Sequence, residues 1–189
     1  MIRISISEET TRRVEKILAG VHKGAERALS NALNRGLSRI KTGSVKEVKE
    51  VYTAKHKDIS SNSQIKIKQA NPGNLAGYVS FNGVKIPLYK FSVTPKSPGT
   101  GRKVHAVVKR DGGGTFEDAF IAQMPAYNHV GVFTRTGKER FPVEEKMGLS
   151  MAQMVGNDKV LEQLEQEAQK TVDQRIEHEI TRLLNGYGE

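Results

Sequence analysis

The chain has 189 residues, 27% of them charged and 37% hydrophobic, with a formal net charge of +9 and no cysteine. A length of this order fits one domain, or one domain with helical arms, that buries about 70% of its unfolded surface. Without cysteine, disulfides, thiolate catalysis and sulfur-bound zinc are excluded, and no run approaches the ~18 apolar residues of a membrane span.

The charge is unevenly placed. Residues 1–110 carry 22 Lys and Arg against 7 Asp and Glu, whereas residues 111–189 carry 8 against 14. Such a split suits a nucleic-acid surface, complementary faces that meet when copies assemble, or a basic face that is merely solvated.

In chain order, Ile2 to Ile6 alternates apolar and polar and predicts a strand, with no signal-peptide core. Ser5 and Glu8 have the spacing of a capping box, with Ser7 as a competing cap. A helical pattern then runs from Glu8 towards Ile40: Val14, Leu18, Val21, Ala25, Ala28 and Ala32 recur at alternating four and three, widened by Ile17, Leu29, Leu33 and Leu37. Gly20, Gly24 and Gly36 each cost about 1 kcal/mol in a helix interior, so a bend or break is expected near Gly20–Gly24. The small face of Ala25, Ala28 and Ala32 admits close approach of another backbone, from this chain or from another subunit.

Thr42-Gly43-Ser44 is expected to break the helix, and Ser44 to Glu47 offers a second capping box for a short helix carrying Val45, Val48, Val51 and Tyr52 and ending near Lys55–Lys57. Its outer face presents Lys46, Lys49, Lys55, His56 and Lys57. Two helices across a glycine turn invite a helix-turn-helix reading. The second helix lacks the Arg, Asn and Gln cluster that reads base edges, so sequence-specific DNA binding is not expected.

From Gln64 the period becomes two, through Ile65 and Ile67 and then Leu75 to Phe81. Asn82-Gly83 is a strong hairpin signal and predicts that Gly77–Phe81 pairs with Val84–Phe91, with Pro87 pushing the second strand to an edge or bulge. Ser92 to Lys103, holding Pro95, Pro98, Gly99, Gly101, Lys96, Arg102 and Lys103, reads as a mobile basic loop. Val104 to Val108 resumes as a strand, and Asp111-Gly112-Gly113-Gly114 reads as a turn.

The stretch Phe116 to Gly156 holds four of the six phenylalanines and four of the five methionines. Ala119–Met124 and Val130–Thr134 read as strands joined across Pro125–Asn128. Arg135, Lys138 and Arg140 make a basic tip before Phe141-Pro142-Val143. After Gly156, Asn157 is the expected cap of a final helix, about 40 Å long. Its stripe is Leu161, Leu164, Ala168, Val172, Ile176, Ile180 and Leu183, and it ends at Asn185-Gly186.

Site chemistry is sparse. His22, His56, His105, His129 and His178 show no zinc-site spacing. Gly99 to Lys103 lacks Walker spacing, and no nucleophile-elbow pattern occurs. His129 is the residue nearest to a chemical role, through neighbouring carboxylates in a hydrolase, against the plainer reading of a histidine that orients a turn. No enzyme and no cofactor or metal are expected.

The series Ala119-Phe120-Ile121-Ala122, Met124, His129, Gly131-Val132-Phe133, Arg135, Gly137, Arg140, Pro142-Val143, Glu145 and Gly148-Leu149-Ser150, followed by Met154, Gly156-Asn157 and the charged helix, resembles the signature region of the prophage minor tail protein Z family. These are tail-completion proteins of long-tailed bacteriophages. The resemblance is specific over Phe116–Leu184 and looser over the N-terminal helices. Gly148-Leu149-Ser150 departs from the family's usual Gly-Pro-Ser.

The resemblance implies a structural virion protein of the tail and neck, made in the bacterial host cytoplasm, that completes the tail and joins it to the head. It implies a homo-oligomeric ring, commonly sixfold, with tail-tube or tail-terminator and head-tail connector proteins as partners and no membrane. Its signature and core positions are Phe120, Met124, His129, Gly131, Val132, Phe133, Arg135, Arg140 and Pro142. The basic half adds a non-specific nucleic-acid reading, compatible with DNA in a ring lumen, with Lys46, Lys49, Lys57, Lys96, Arg102 and Lys103 as candidate interface or DNA-facing residues. The expected fold is α+β, with long helices on one face of a mostly antiparallel sheet. A single domain over 1–189 would then comprise an N-terminal strand and helices (1–60), a β-rich core (64–150) and a C-terminal helix (157–185).

Overall fold

The computed structural model describes residues 1–124 and 129–186. Its helices are α1 (Glu8–Ile17), α2 (Gly24–Val51), α3 (His56–Ser61), α4 (Met151–Val155) and α5 (Asp158–Leu184). Its strands are β1 (Ile2–Arg3), β2 (Ser63–Lys68), β3 (Tyr78–Gly83), β4 (Ser92–Thr94), β5 (Val104–Lys109), β6 (Gly112–Phe116), β7 (Ala119–Met124), β8 (His129–Arg135) and β9 (Val143–Glu145). The class is α+β. The strands form three small sheets, ordered β1-β3-β2, β4-β5-β6 and β7-β8-β9. The chain divides into two compact units.

The first unit gathers Met1–Ser44, Ile65–Phe81 and the chain from Leu161 onward. Ser7 caps α1, its side chain accepting from the Thr10 amide at 3.2 Å; Ser5 does not, because the helix begins only at Glu8. The break expected near Gly20–Gly24 lies between α1 and α2, where Lys23 takes a positive φ of 51° and a β-carbon on Gly24 would lie 2.8 Å from that of Val21.

The core of this unit joins Val14 and Leu18, then Ala25, Ala28, Leu29 and Ala32 of α2, to Val172, Ile176, Ile180 and Leu183 of α5. A buried Leu or Ile of this kind contributes about 1.5–3 kcal/mol. The helices run antiparallel and close: a β-carbon on Gly36 would meet Val172 Cγ2 at 2.5 Å and the Ala168 carbonyl at 3.3 Å, and one on Gly43 would meet Leu164 Cδ2 at 3.6 Å. That closeness corrects the expected break at Thr42-Gly43-Ser44. Gly43 faces α5, Ser44 is buried with its hydroxyl donating to the Lys41 carbonyl at 2.9 Å, and α2 runs on to Val51. The helix-turn-helix reading falls with it.

β1 is shorter than the Ile2–Ile6 run, covering Ile2 and Arg3 opposite Val79 and Tyr78. Asn34 replaces a strand partner for the chain after β2: its amide nitrogen donates to the Ala70 carbonyl at 2.9 Å, and its oxygen accepts from the Ala70 amide at 2.8 Å.

The second unit comprises Val45–Gln64 and Asn82–Val160. The hairpin expected at Asn82-Gly83 does not form. β3 has β1 on one side and β2 on the other, which leaves no free edge for residues 84–91. A β-carbon on Gly83 would sit 2.2 Å from the Asn62 carbonyl, so that glycine serves a close backbone approach. Residues 86–88 pair instead with 146–149, through Leu88 N–H to the Lys146 carbonyl at 2.9 Å and Gly148 N–H to the Ile86 carbonyl at 2.7 Å. Pro87, which has no amide to donate, sits between them opposite Met147.

Ser92–Thr94, expected within the basic loop, is strand β4, antiparallel to β5 with Val93 opposite Ala106. Gly112–Gly114, expected as a turn, lie in β6, antiparallel to β5. Gly113 is tight there, since a β-carbon would meet the Val107 side chain at 2.7 Å and the Ala106 carbonyl at 3.0 Å. The core of this unit is Leu88, Val93, Val104, Ala106, Ala119, Ile121 and Val132, drawn from both sheets. Ser150 caps α4 with a full capping box to Gln153, burying Met151 and Met154.

Candidate functional site

The signature residues converge on the β7-β8-β9 sheet. β8 lies between its neighbours, with Phe120 opposite Phe133, Ile121 opposite Val132 and Met124 opposite His129, and with Phe133 opposite Glu145 on the other side. Alternation sends His129, Gly131 and Phe133 to one face and Val132 to the other. Both faces are covered, since Val132 and Phe133 are both buried. Phe120 is half-buried, its ring centroid 6.3 Å from that of Phe133.

On the Phe133 face, His129 Nε2 is 2.7 Å from Glu145 Oε1. Gly131 makes room for this pair: a β-carbon there would lie 2.7 Å from that carboxylate oxygen and 3.0 Å from the Phe133 ring. The Phe133 ring meets His129 edge-on at 6.5 Å. The arrangement ties β8 to β9 through a histidine–carboxylate hydrogen bond between partly exposed side chains. Such a bond orients a strand pair. The described residues contain no group of three His, Asp or Glu able to hold a metal.

The basic tip is closed on itself. Arg135 Nη1 donates to the Arg140 carbonyl at 2.7 Å, and the Thr136 amide and hydroxyl both donate to the Pro142 carbonyl, each at 3.2 Å. The Arg135 guanidinium lies 5.1 Å above the Phe120 ring and that of Arg140 lies 5.7 Å from Phe141, which stands 62% exposed. Met124 ends β7. The turn expected at Pro125–Asn128 lies outside the described residues.

The six basic candidates are spread over the second unit. Lys46 is exposed beside Glu47 on α2, Lys49 is half-buried, and Lys57 is exposed on α3. Lys96 folds back towards the Phe91 carbonyl at 3.4 Å and over the Tyr89 ring; burial, and then the charge of Lys55, lower its pKa. Tyr89 in turn donates to the Lys96 carbonyl at 2.9 Å. Lys103 pairs with Glu117, and Arg102 is exposed.

One cluster had no distinguishing sign in the sequence. Glu179, one acid among many on α5, is wholly buried. It accepts from Arg182 at 2.8 Å and from Asn31 of α2 at 3.1 Å, and it pairs with Arg175 one turn back. Burial pushes its carboxyl up, but hydrogen bonds from Arg182 and Asn31 and the charges of both arginines outweigh that and hold it below the ordinary carboxylate range.

The family model described as prophage minor tail protein Z (GPZ) matches residues 11–187. No curated protein and no solved structure matches the chain. A match over nearly the whole length places the chain in that family of phage tail proteins: it belongs to the prophage minor tail protein Z family.

Proposed function

We propose that this member of the minor tail protein Z family completes the tail at its head-proximal end, by joining subunits into a ring and without turnover. The reach of the family match supports this reading, because it takes in β2 to β9 and the helices through α5. On this reading the partners are further copies of the chain, in a ring for which sixfold symmetry is the common case, together with tail-tube or tail-terminator and head-tail connector proteins. The protein then works in the tail and neck of the virion. The described helices include none long and apolar enough to cross a membrane.

The side chains that matter in such a role are those that face a neighbour. Residues 95–103, with two prolines, two glycines and three cations, have little of their own to bury and are the segment we assign to ordering against a neighbour. Protease protection that rises on assembly is the expected result; equal cleavage in free and assembled protein overturns that part.

The deciding experiment is a clean deletion examined by electron microscopy. Filled heads beside unjoined tails, or tails with abnormal ends, are expected, with rescue by the gene supplied in trans. Normal infectious particles from the deletion would sink the reading.

A further inference from the structure

Along one side of the α2–α5 seam, both helices carry polar side chains in the same spacing. On α2 these are Asn31, Arg35, Ser38 and Thr42, and on α5 they are Thr171, Arg175, His178 and Arg182. Steps of four, three and four residues keep each row on one helix face, over a length of about 16 Å. Arg39 and Gln174 complete the walls. Between the rows lie two adjoining hollows of about 500 and 490 Å³.

The lining has two properties. No large apolar side chain takes part in it, so a protein segment docking there would find nothing to bury, whereas protein interfaces centre on apolar and aromatic contacts. Its permanent cations are all arginines, four of them, against the carboxylates Glu167 and Glu179. Glu167 pairs with Arg39 at one end. Glu179 is buried, and its bonds to Arg175 and Arg182 hold both guanidinium groups in place. Arg35 is exposed and pairs with no carboxylate among the described residues. The hydroxyls of Ser38, Thr42 and Thr171 donate to carbonyls of their own helices. Arg39, Arg175 and Arg182 each commit part of their guanidinium to Glu167 or Glu179. The exposed Arg35 guanidinium is therefore the principal donor facing out of the groove, beside the Gln174 amide and the His178 ring.

We infer that this groove binds the phosphate backbone of nucleic acid without regard to sequence. Fixed, planar arginine donors suit phosphate oxygens, and phosphate contacts made by arginine and amide side chains position a duplex without reading it. A length of ~16 Å spans about four to five nucleotide steps of one strand. The groove is made by the first unit alone, apart from the scattered lysines of the second, and its binding does not depend on the tail-completion reading.

The test is fluorescence anisotropy of a labelled 20-base-pair duplex with the purified full chain, titrated with salt. Binding that weakens steeply from low to moderate salt is expected. Arg35→Ala, at an exposed position, should weaken it roughly tenfold at 50 mM salt and lower the salt slope by about one. Arg35→Lys should retain most of the affinity. The triple variant Lys46→Ala, Lys49→Ala, Lys57→Ala should bind as the parent does, and thermal melts of all variants should match.

Three outcomes overturn the inference. One is no binding of the duplex at low salt. Another is loss of binding in the lysine triple but not in Arg35→Ala. The third is binding of polyglutamate with no binding of the duplex, which would make the groove a seat for an acidic protein. Since no phage particle enters the assay, its result is separate from that of the deletion experiment.

Discussion

The two units bury their apolar residues by different means. In the first, two long helices meet along a seam of small residues, where Gly36 and Gly43 let α5 approach and Ala28 and Ala32 pack against Val172 and Ile176. Its apolar lining is a long row of aliphatic side chains without an aromatic ring, Leu29, Ile176 and Leu183 among them, so its contribution is spread over many positions. In the second, strands of three to seven residues are held by backbone pairing and by a few large rings. Phe133 fills one face of β8, and Phe91 packs so closely on Gly148 that a β-carbon there would lie 2.4 Å from the ring. Cohesion is distributed in one unit and concentrated in the other. The helical seam should therefore suffer from added volume, and the β unit from lost volume.

The largest expected effect tests the concentrated side. Phe133→Ala should lower the stability of the second unit by about 3–5 kcal/mol, read from urea unfolding, and Phe120→Ala by less because that ring is half-exposed. Equal and small losses would remove the contrast.

Next comes the polar exception within the seam. Glu179→Ala leaves Arg175, Arg182 and Asn31 without their shared acceptor and should cost about 3 kcal/mol, at the low end for a buried pair because both arginines reach solvent. The carboxyl has a folded pKa below its usual value, so its contribution is present above the unfolded value near 4.5 and is lost as pH falls through the folded one. The stability gap between parent and Glu179→Gln should accordingly be full at pH 7 and shrink below about pH 4. A gap unchanged at pH 3 contradicts the assignment.

Added volume is the third test. Gly36→Ala brings a methyl to within 2.5 Å of Val172 Cγ2. Overpacking costs about 1–3 kcal/mol, offset by about 1 kcal/mol of helix propensity. The net loss should vanish in the double variant with Val172→Ala. At Gly20, where an added β-carbon meets nothing within 4 Å, the same substitution should be neutral or stabilising.

The smallest effect is expected at His129. His129→Ala removes a partly exposed pair with Glu145 and should cost under about 1 kcal/mol, with assembly unaffected. Loss of function in a variant that folds and assembles normally would reopen a chemical role for that histidine.

These contrasts also explain which features could be read from the amino acids. The α5 stripe from Leu164 to Leu183, the break between α1 and α2 and the strands at Ala119–Met124 and Val130–Thr134 were legible, because each is set by a local period or a local backbone restriction; that β8 takes in His129 and Arg135 as well was not. The roles of Gly43, Gly83 and Gly112–Gly114 were not. A glycine looks the same whether it turns the chain or removes a β-carbon from the path of a neighbour, and the deciding neighbours here (Leu164, Asn62 and Val107) are distant or unpaired in sequence. Glu179 was hidden for a similar reason. Its position on α5 resembles that of the solvated Glu162 and Glu165, and only Asn31, 148 residues away, marks it as interior. The signature sheet was legible as strands, but the reach of Glu145 past Gly131 to His129 required the register.

The division of the chain between the units also has a kinetic consequence. The first unit is assembled from three separated stretches, the last beginning at Leu161, and every residue of the second unit precedes that stretch. During synthesis at about 5–20 residues per second, the second unit is complete before most of α5 has been made. The apolar stripe of α2 from Ala25 to Ala32 then waits for its partner for roughly a few seconds. Closure of the seam is the last and longest-range event, of the kind that slows folding. In that interval the exposed stripe is the surface on which a chaperone, or the α5 of another nascent copy, could act.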